Sequence, residues 1–441
     1  MKALLFVLGV TFSLNLHSQT QRSIQQIELN LLKRQYDSVL CIANSTLEKD
    51  TTNWLLYYYS GKAYQAKFKY FEAINQYEKA VELDSANSVV ENELAEAYDF
   101  VGRDEDAINI YYDQYLRDTT ALEPAVNLAN IFRKKREYAS AIHYYQKAVA
   151  ADPANFYYHK QLAFCFDKIN VPIGAILTYK TAIMLNEYDV SLYIQLANIL
   201  NTERAFLDAI TTCNQGLEKH PQNKQLLKIK AYAQYLSRDF DSSIVYFNKL
   251  LQSGDTSFFN LKYRGLALFE KKEFESATID LSIAYEMNNK DAELAFYLGS
   301  SMGRVGNGQD GLIFLIRSKR LLSPSPDELS NIYSEMALIY QNQEKYETAL
   351  EHLKLAYKSK ATPLLSFKMA QLYDYYLDNK KLAINYYDGY LEMANEPDTL
   401  LVDSSIVLEN SFTRDERVIE NAKERIKILK EELFFEKGKK E

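Results

Sequence analysis

Between Trp54 and Asn87 apolar residues recur twice at helical spacing, with polar residues between them. The first run spans Trp54 to Ala66 and the second Phe71 to Leu83, with only Lys67-Phe68-Lys69-Tyr70 between. So short a connection predicts a tight turn and two antiparallel helices. The block then returns. Small residues stand 34 residues apart at Gly61, Ala95, Ala129, Ala163, Ala197, Ala231, Gly265 and Gly299. A second small series runs in phase behind them: Ala73, Ala107, Ala141, Ala175, Ala209, Ser243, Ala277 and Gly311. Four residues further comes a large apolar one: Tyr77, Tyr111, Tyr145, Tyr179, Cys213, Phe247, Leu281 and Leu315. Small side chains let the two helices of a pair cross closely, and a bulky residue at Ala73 would overpack that crossing by about 1–3 kcal/mol. One hairpin cannot bury its apolar face alone, so the pairs are expected to stack into a solenoid.

These residues resemble the tetratricopeptide repeat family, whose pattern over 34 residues is an aromatic, Leu-Gly, a Tyr, an Ala, a Phe or Tyr and a closing Pro. The closing Pro is present at Pro153 and Pro221 and replaced at Ser85, Thr119, Glu187 and Asp255, and the opening Trp is mostly lost. Those departures touch turns and spare the helix contacts. A ninth copy (Ala337, Tyr340, Ala349, Leu353, Ala356) and a tenth (Ala370, Tyr373, Ala383, Tyr387) follow with altered spacing. The resemblance, to a secreted bacterial multi-repeat protein, covers Trp54 to Ala394 and implies an all-α fold: a right-handed superhelical solenoid of antiparallel helix pairs.

The chain divides accordingly. Residues 1–18, an apolar run from Ala3 to Leu16 behind Lys2, ending His17-Ser18, read as a signal peptide. The run is short of the ~20 residues a membrane span needs, and the lack of a following cysteine argues against a lipid anchor. Residues 19–53 read as a degenerate first hairpin, and 54–395 as ten repeats with a break near 303–326. At that break Gly303, Gly306, Gly308 and Gly311 predict a loosened joint, and Ser323-Pro324-Ser325-Pro326 part of an insertion before the next helix. Residues 396–412 form a connection, and 413–441 a capping helix. That helix opens on the capping box Thr413-Arg414-Asp415-Glu416 and carries the apolar stripe Val418, Ala422, Ile426, Leu429, Leu433. Its charged remainder reads as a solvated face.

Charge and motifs narrow the function. The net charge of −8 becomes −9 once Lys2 is removed, which argues against nonspecific nucleic-acid binding. Cys41, Cys165 and Cys213 are too few for a disulfide framework. Gly306-Asn307-Gly308-Gln309-Asp310-Gly311 matches a dinucleotide fingerprint, but a helix precedes it where a strand is required. The scattered His17, His143, His159, His220 and His352 form no metal-ligand spacing, and no nucleophile elbow occurs. No catalysis, cofactor or metal is expected.

The resemblance implies a partner bound along the concave surface lined by the first helix of each hairpin. Carried onto this chain, it nominates Asn130, Arg133, Lys160, Asn198, Asn201, Lys228, Tyr232, Tyr235, Phe259, Lys262 and Phe269. At these places of the third to seventh repeats Arg133, Lys134, Lys160, Lys168, Lys228 and Lys262 outnumber Glu123, Asp167 and Glu270. The family's carboxylate clamp is absent, because Lys160 is followed by Phe164 and Asn130 preceded by Val126. The expectation is a non-catalytic scaffold for a protein or extended peptide. It is placed in the periplasm or at the outer membrane of the cell envelope, without a transmembrane span in the mature chain. A carbohydrate-binding or uptake accessory role is the alternative, since exposed rings could stack on sugars.

Overall fold

The structure, a computed structural model, describes residues 19–84, 87–321, 325–395 and 416–438. The expected signal peptide (1–18), the connection (396–412) and most of the capping box lie outside them. Among the described residues all regular structure is helical. Two compact units divide the chain, 1–204 and 205–441.

In the first unit α1 (19–32) and α2 (Tyr36–Leu47) form the degenerate hairpin. They pack through Ile24, Ile27, Val39 and Ala43. Three full pairs follow: α3 (Trp54–Ala66) with α4 (Tyr70–Leu83), α5 (Ser88–Phe100) with α6 (Asp104–Arg117), and α7 (Leu122–Lys134) with α8 (Tyr138–Ala151). A fourth joins α9 (Phe156–Lys168) to α10 (Pro172–Leu185), and α11 (Val190–Thr202) closes the unit. Each pair packs on the next, and one apolar core runs from Ala73 to Cys165.

The second unit begins with α12 (Phe206–Lys219) and then pairs α13 (Lys224–Leu236) with α14 (Phe240–Gln252) and α15 (Phe258–Glu270) with α16 (Phe274–Met287). Next come α17 (Ala292–Arg304) with α18 (Gly308–Leu321) and α19 (Pro326–Asn342) with α20 (Tyr346–Ser359). The last pair is α21 (Pro363–Tyr375) with α22 (Lys380–Asn395), and α23 (Glu416–Gly438) packs on α22.

The three series of the sequence pattern form the spine of both units. Every one of their members is buried, from Gly61, Ala73 and Tyr77 to Gly299, Gly311 and Leu315. A Cβ on Gly61 would run into the Tyr77 ring, so at this pair the small residue makes room for the large one. Where Ser243 replaces Ala, its hydroxyl donates to the Ala231 carbonyl of the facing helix at 2.9 Å. A buried polar group is thereby satisfied without widening the crossing.

Two further periodic features fix the ends of the first helices. Asn53, Asn87, Asn155, Asp189, Asn223 and Asp291 are N-caps whose side chains accept backbone N–H groups of the first turn. The turns into the second helices place Arg34, Phe68, Gly102, Arg136, Asn170, Arg204, Arg238, Lys272 and Gly306 at positive φ. Each such residue sits just past a helix end. At Phe68, for instance, Phe68 N–H donates to the Gln65 carbonyl and Lys69 N–H to the Tyr64 carbonyl.

Two expectations need correction. The extra residues of the ninth repeat do not precede its helix. Ser325, 34 positions after the N-cap Asp291, is itself an N-cap with a complete capping box to Glu328. The helix behind it, α19, runs 17 residues where α17 runs 13, so the insertion is one more helical turn. At the expected joint the glycines are closely packed. A Cβ on Gly303 would stand 2.5 Å from Ile339, and one on Gly308 2.6 Å from Gln343, so these glycines admit close neighbours. Only Gly306, at φ +91°, serves the turn. Finally, the charged remainder of α23 is not all solvated. Its stripe packs as expected, with Ala422, Ile426 and Leu429 buried. Arg425, however, makes two 2.8 Å hydrogen bonds to Asp374, whose side chain has no exposed surface.

Candidate functional site

The first-helix face is knitted together from one repeat to the next. In the first unit Tyr59 donates to Glu28 at 2.6 Å, Lys62 pairs with Glu93 at 2.6 Å, and Asn92 donates to Glu123 at 3.0 Å. Further along, Asn130 Oδ1 accepts the Tyr145 hydroxyl at 2.7 Å and, more weakly, the Tyr157 hydroxyl at 3.5 Å. Arg133 Nε donates to that same Tyr145 oxygen at 3.3 Å. The carbonyl side of the Asn130 amide is therefore occupied, and what it still offers is its N–H₂.

Most of the basic residues counted on this face are already neutralised. Lys134 pairs with Asp99 and Asp104 at 2.7 and 2.9 Å, and Lys168 with its neighbour Asp167 at 2.8 Å. Lys160 reaches Asp189, the next repeat's N-cap, at 2.7 Å. Burial alone would raise the Asp189 carboxyl, but bonds from Lys160 and Ser191 hold it below the usual range. Lys262 makes the equivalent pair with Asp291 at 2.7 Å and a second with Glu293 at 2.7 Å. Burial acts to lower the Lys262 ammonium, and the two carboxylates outweigh it and raise it. The expected local excess of positive charge is thus largely cancelled, because the capping Asp residues lie outside the repeat places that were counted. The signal was in the sequence: a Lys followed 29 residues later by the N-cap Asp.

Two of these cations make no ion pair among the described residues, although Lys228 helps to hold the nearby Asp255 carboxyl low. Lys228 has Ser257 where the capping Asp would be, and its ammonium sits 4.5 Å from the centre of the Phe259 ring. Half-buried Arg133 bonds, among the described residues, only to the Tyr145 hydroxyl.

The nominated aromatics of the second unit pack on one another. Tyr232 lies 5.2 Å from Phe259 and 4.6 Å from Tyr263 between ring centres, and Tyr235 lies 5.3 Å from Tyr263. Phe269 meets Tyr297 at 5.0 Å. All are half-buried. Tyr263 and Tyr297 join this cluster although the family's contact places omit them. Of the amides, Asn198 is exposed, while Asn201 keeps a buried Oδ1 without a partner. The face can therefore bond and shield an extended ligand. Among the described residues no group of His, Cys, Asp and Glu is arranged to hold a metal ion, and no helix is long and apolar enough to cross a membrane.

Stacked helix hairpins with such a face define a protein–protein interaction scaffold, a class that is typically non-catalytic. Residues 122–155, comprising α7, α8 and the loop behind them, match the family model described as the tetratricopeptide repeat. The pairs on either side repeat its spacing, caps and crossings, so the likeness to the tetratricopeptide repeat continues through both units. No curated protein matches it. Among solved structures it is similar to YrrB, a tetratricopeptide protein with an unusual peptide-binding site, at 21% identity over 42% of this chain and 94% of that one, with a TM-score of 0.38. A tetratricopeptide repeat protein from Parabacteroides merdae ATCC 43184 matches at 14% identity, 57% and 98% coverage and a TM-score of 0.41. The Naa15/Naa10 complex bound to HypK matches at 12% identity, 92% and 68% coverage and a TM-score of 0.44.

Proposed function

We propose that the first-helix face captures an extended segment of a partner protein in the cell envelope, by binding alone. The observation that carries this reading is Arg133. A half-buried guanidinium whose only hydrogen-bond partner among the described residues is a phenol keeps most of its donors for an acceptor from outside. Beside it the N–H₂ of Asn130 points to the same need, a carboxylate or a run of backbone carbonyls. Elsewhere on this unit's first helices Asn198 offers both a donor and an acceptor, which suits backbone recognition without reading sequence. The sugar-binding alternative asks for free ring faces, whereas Tyr232, Tyr235, Phe259 and Tyr263 close on one another. The envelope location rests on the apolar run behind Lys2 and the small Ser18.

The test is affinity capture from a native envelope extract, with mass spectrometry of both the bait and what it holds. The bait should begin at or near Gln19, and its main partner should be lost from the Arg133→Ala, Asn198→Ala double variant at unchanged melting temperature. A bait retaining Met1 in the cytosol would remove the envelope reading, and undiminished capture by the variant would remove the face.

A further inference from the structure

We propose that a cavity beside the extra turn of α19 accepts the cationic side chain, lysine or arginine, of a bound polypeptide. The cavity has a volume of about 230 Å³. Its lining includes Glu293, Phe296 and Tyr297 of α17 and Glu328, Asn331 and Ile332 of α19. It is smaller than the ~300–1,000 Å³ that encloses a drug-sized molecule, and so suits one side chain rather than a whole ligand. The added helical turn builds it. Glu328 and Asn331 belong to the first two turns of a helix that starts with its N-cap in phase but reaches its small crossing residue four positions late.

The chemistry of the walls selects a cation. Two carboxylates, Glu293 and Glu328, line the cavity, and Glu293 shares Lys262 with Asp291 at 2.7 Å each. Glu328 accepts the Ser325 N–H at 2.8 Å as part of the capping box, and among the described residues it has no ion pair. Lys319, one residue beyond the lining Ser318, is held by the Tyr333 hydroxyl at 2.7 Å. An entering ammonium or guanidinium would meet the carboxylates of Glu293 and Glu328, both exposed at the rim of the cavity. Its aliphatic stem would lie against Phe296, Tyr297 and Ile332. An acidic side chain would be repelled, and a neutral one would leave the carboxylates as they are.

The proposal rests on the reading that the partner is a polypeptide. It is tested with two blocked pentapeptides, Ala-Ala-Lys-Ala-Ala and its norleucine counterpart, on the full chain labelled at isoleucine methyls. The lysine peptide should shift the Ile332 methyl resonance and bind about tenfold more tightly than the norleucine peptide. Glu328→Gln should erase most of that difference without loosening the helix, because Gln also closes a capping box. Ala292→Leu, which fills the cavity from its wall, should abolish the Ile332 shift. Equal binding of the two peptides, or an Ile332 resonance unmoved by millimolar lysine peptide, would overturn the assignment. The two readings fail separately. A cavity that takes lysine while capture ignores Arg133 removes only the face, and the reverse outcome removes only the cavity.

Discussion

Gly299 and Gly311 each stand against the other's carbonyl oxygen. A Cβ on Gly299 would lie 2.7 Å from the oxygen of Gly311, and one on Gly311 would lie 2.8 Å from the oxygen of Gly299. This is the tightest form of the crossing that the small residues serve elsewhere, since backbone blocks backbone and neither side can rotate away. Gly311→Ala is therefore expected to destabilise the second unit by about 1–3 kcal/mol, although alanine is the better helix former by about 1 kcal/mol. Urea unfolding reads it, and a neutral or stabilising result would mean the helices can part without loss.

The turn residues make the opposite case. Gly102 has φ +81° and nothing within 4 Å of where a Cβ would be, so Gly102→Ala should cost about 1 kcal/mol from backbone conformation alone. Exposed Lys272 holds the same conformation at φ 64° without glycine's freedom, and Lys272→Gly should gain a few tenths to about 1 kcal/mol. Thermal melts of both variants check the pair. Changes of the same sign would contradict the assignment.

These turns also show what the sequence could and could not disclose. The hairpin array was legible because burial forces small residues to recur at each crossing, and Ala129, Ala141 and Tyr145 are all fully buried. The left-handed turn was hidden, because hydrogen bonds impose it on whatever residue follows the helix, and Phe68 or Arg136 carry no mark of it. The gap from Gly299 to Ala337 exposed an insertion, but only the phase of the N-caps tells that it is helical. At the nominated face, side-chain type identified Arg133 and Asn198. Side-chain type within one repeat does not show that Lys160 and Lys262 are tied to capping aspartates; that takes the 29-residue spacing into the following repeat.

Arg425 and Asp374 fasten the terminal helix. Removing the guanidinium by Arg425→Ala would leave a carboxylate with no exposed surface uncompensated, a loss of about 3 kcal/mol. Hydrogen exchange should then quicken in α21, α22 and α23 while the 1–204 unit is unaffected. Unchanged protection in α22 would show that the apolar stripe holds the cap alone.

Stability should fall on the alkaline side. Burial pushes the Cys165 thiol up to about 11 and the Cys213 thiol up to about 12, and raises the Tyr77, Tyr145 and Tyr179 hydroxyls above their ordinary value of 10. A raised value means the folded chain holds its proton more tightly than the unfolded one. The contribution is complete below the unfolded value, near pH 9 for thiols, and is lost as pH rises toward the folded one. Each such group should remove up to about 1.4 kcal/mol per pH unit in that window. Melting temperatures at pH 7.5, 9 and 10.5 should be level and then drop, and a level profile through pH 10.5 would contradict the buried, neutral state of these groups.

The central claim is that a partner lies along the first helices, and a photoreactive amino acid placed by position tests it most directly. Asn198 is exposed on a first helix, and Ile173, 73% exposed, stands on the second helix α10. Benzoylphenylalanine at Asn198, irradiated in the native envelope, is expected to give one dominant cross-linked protein that disappears when Arg133 is also replaced by alanine. The same probe at Ile173 should give none. Cross-linking from Ile173 and not from Asn198, to the same partner, would contradict the account.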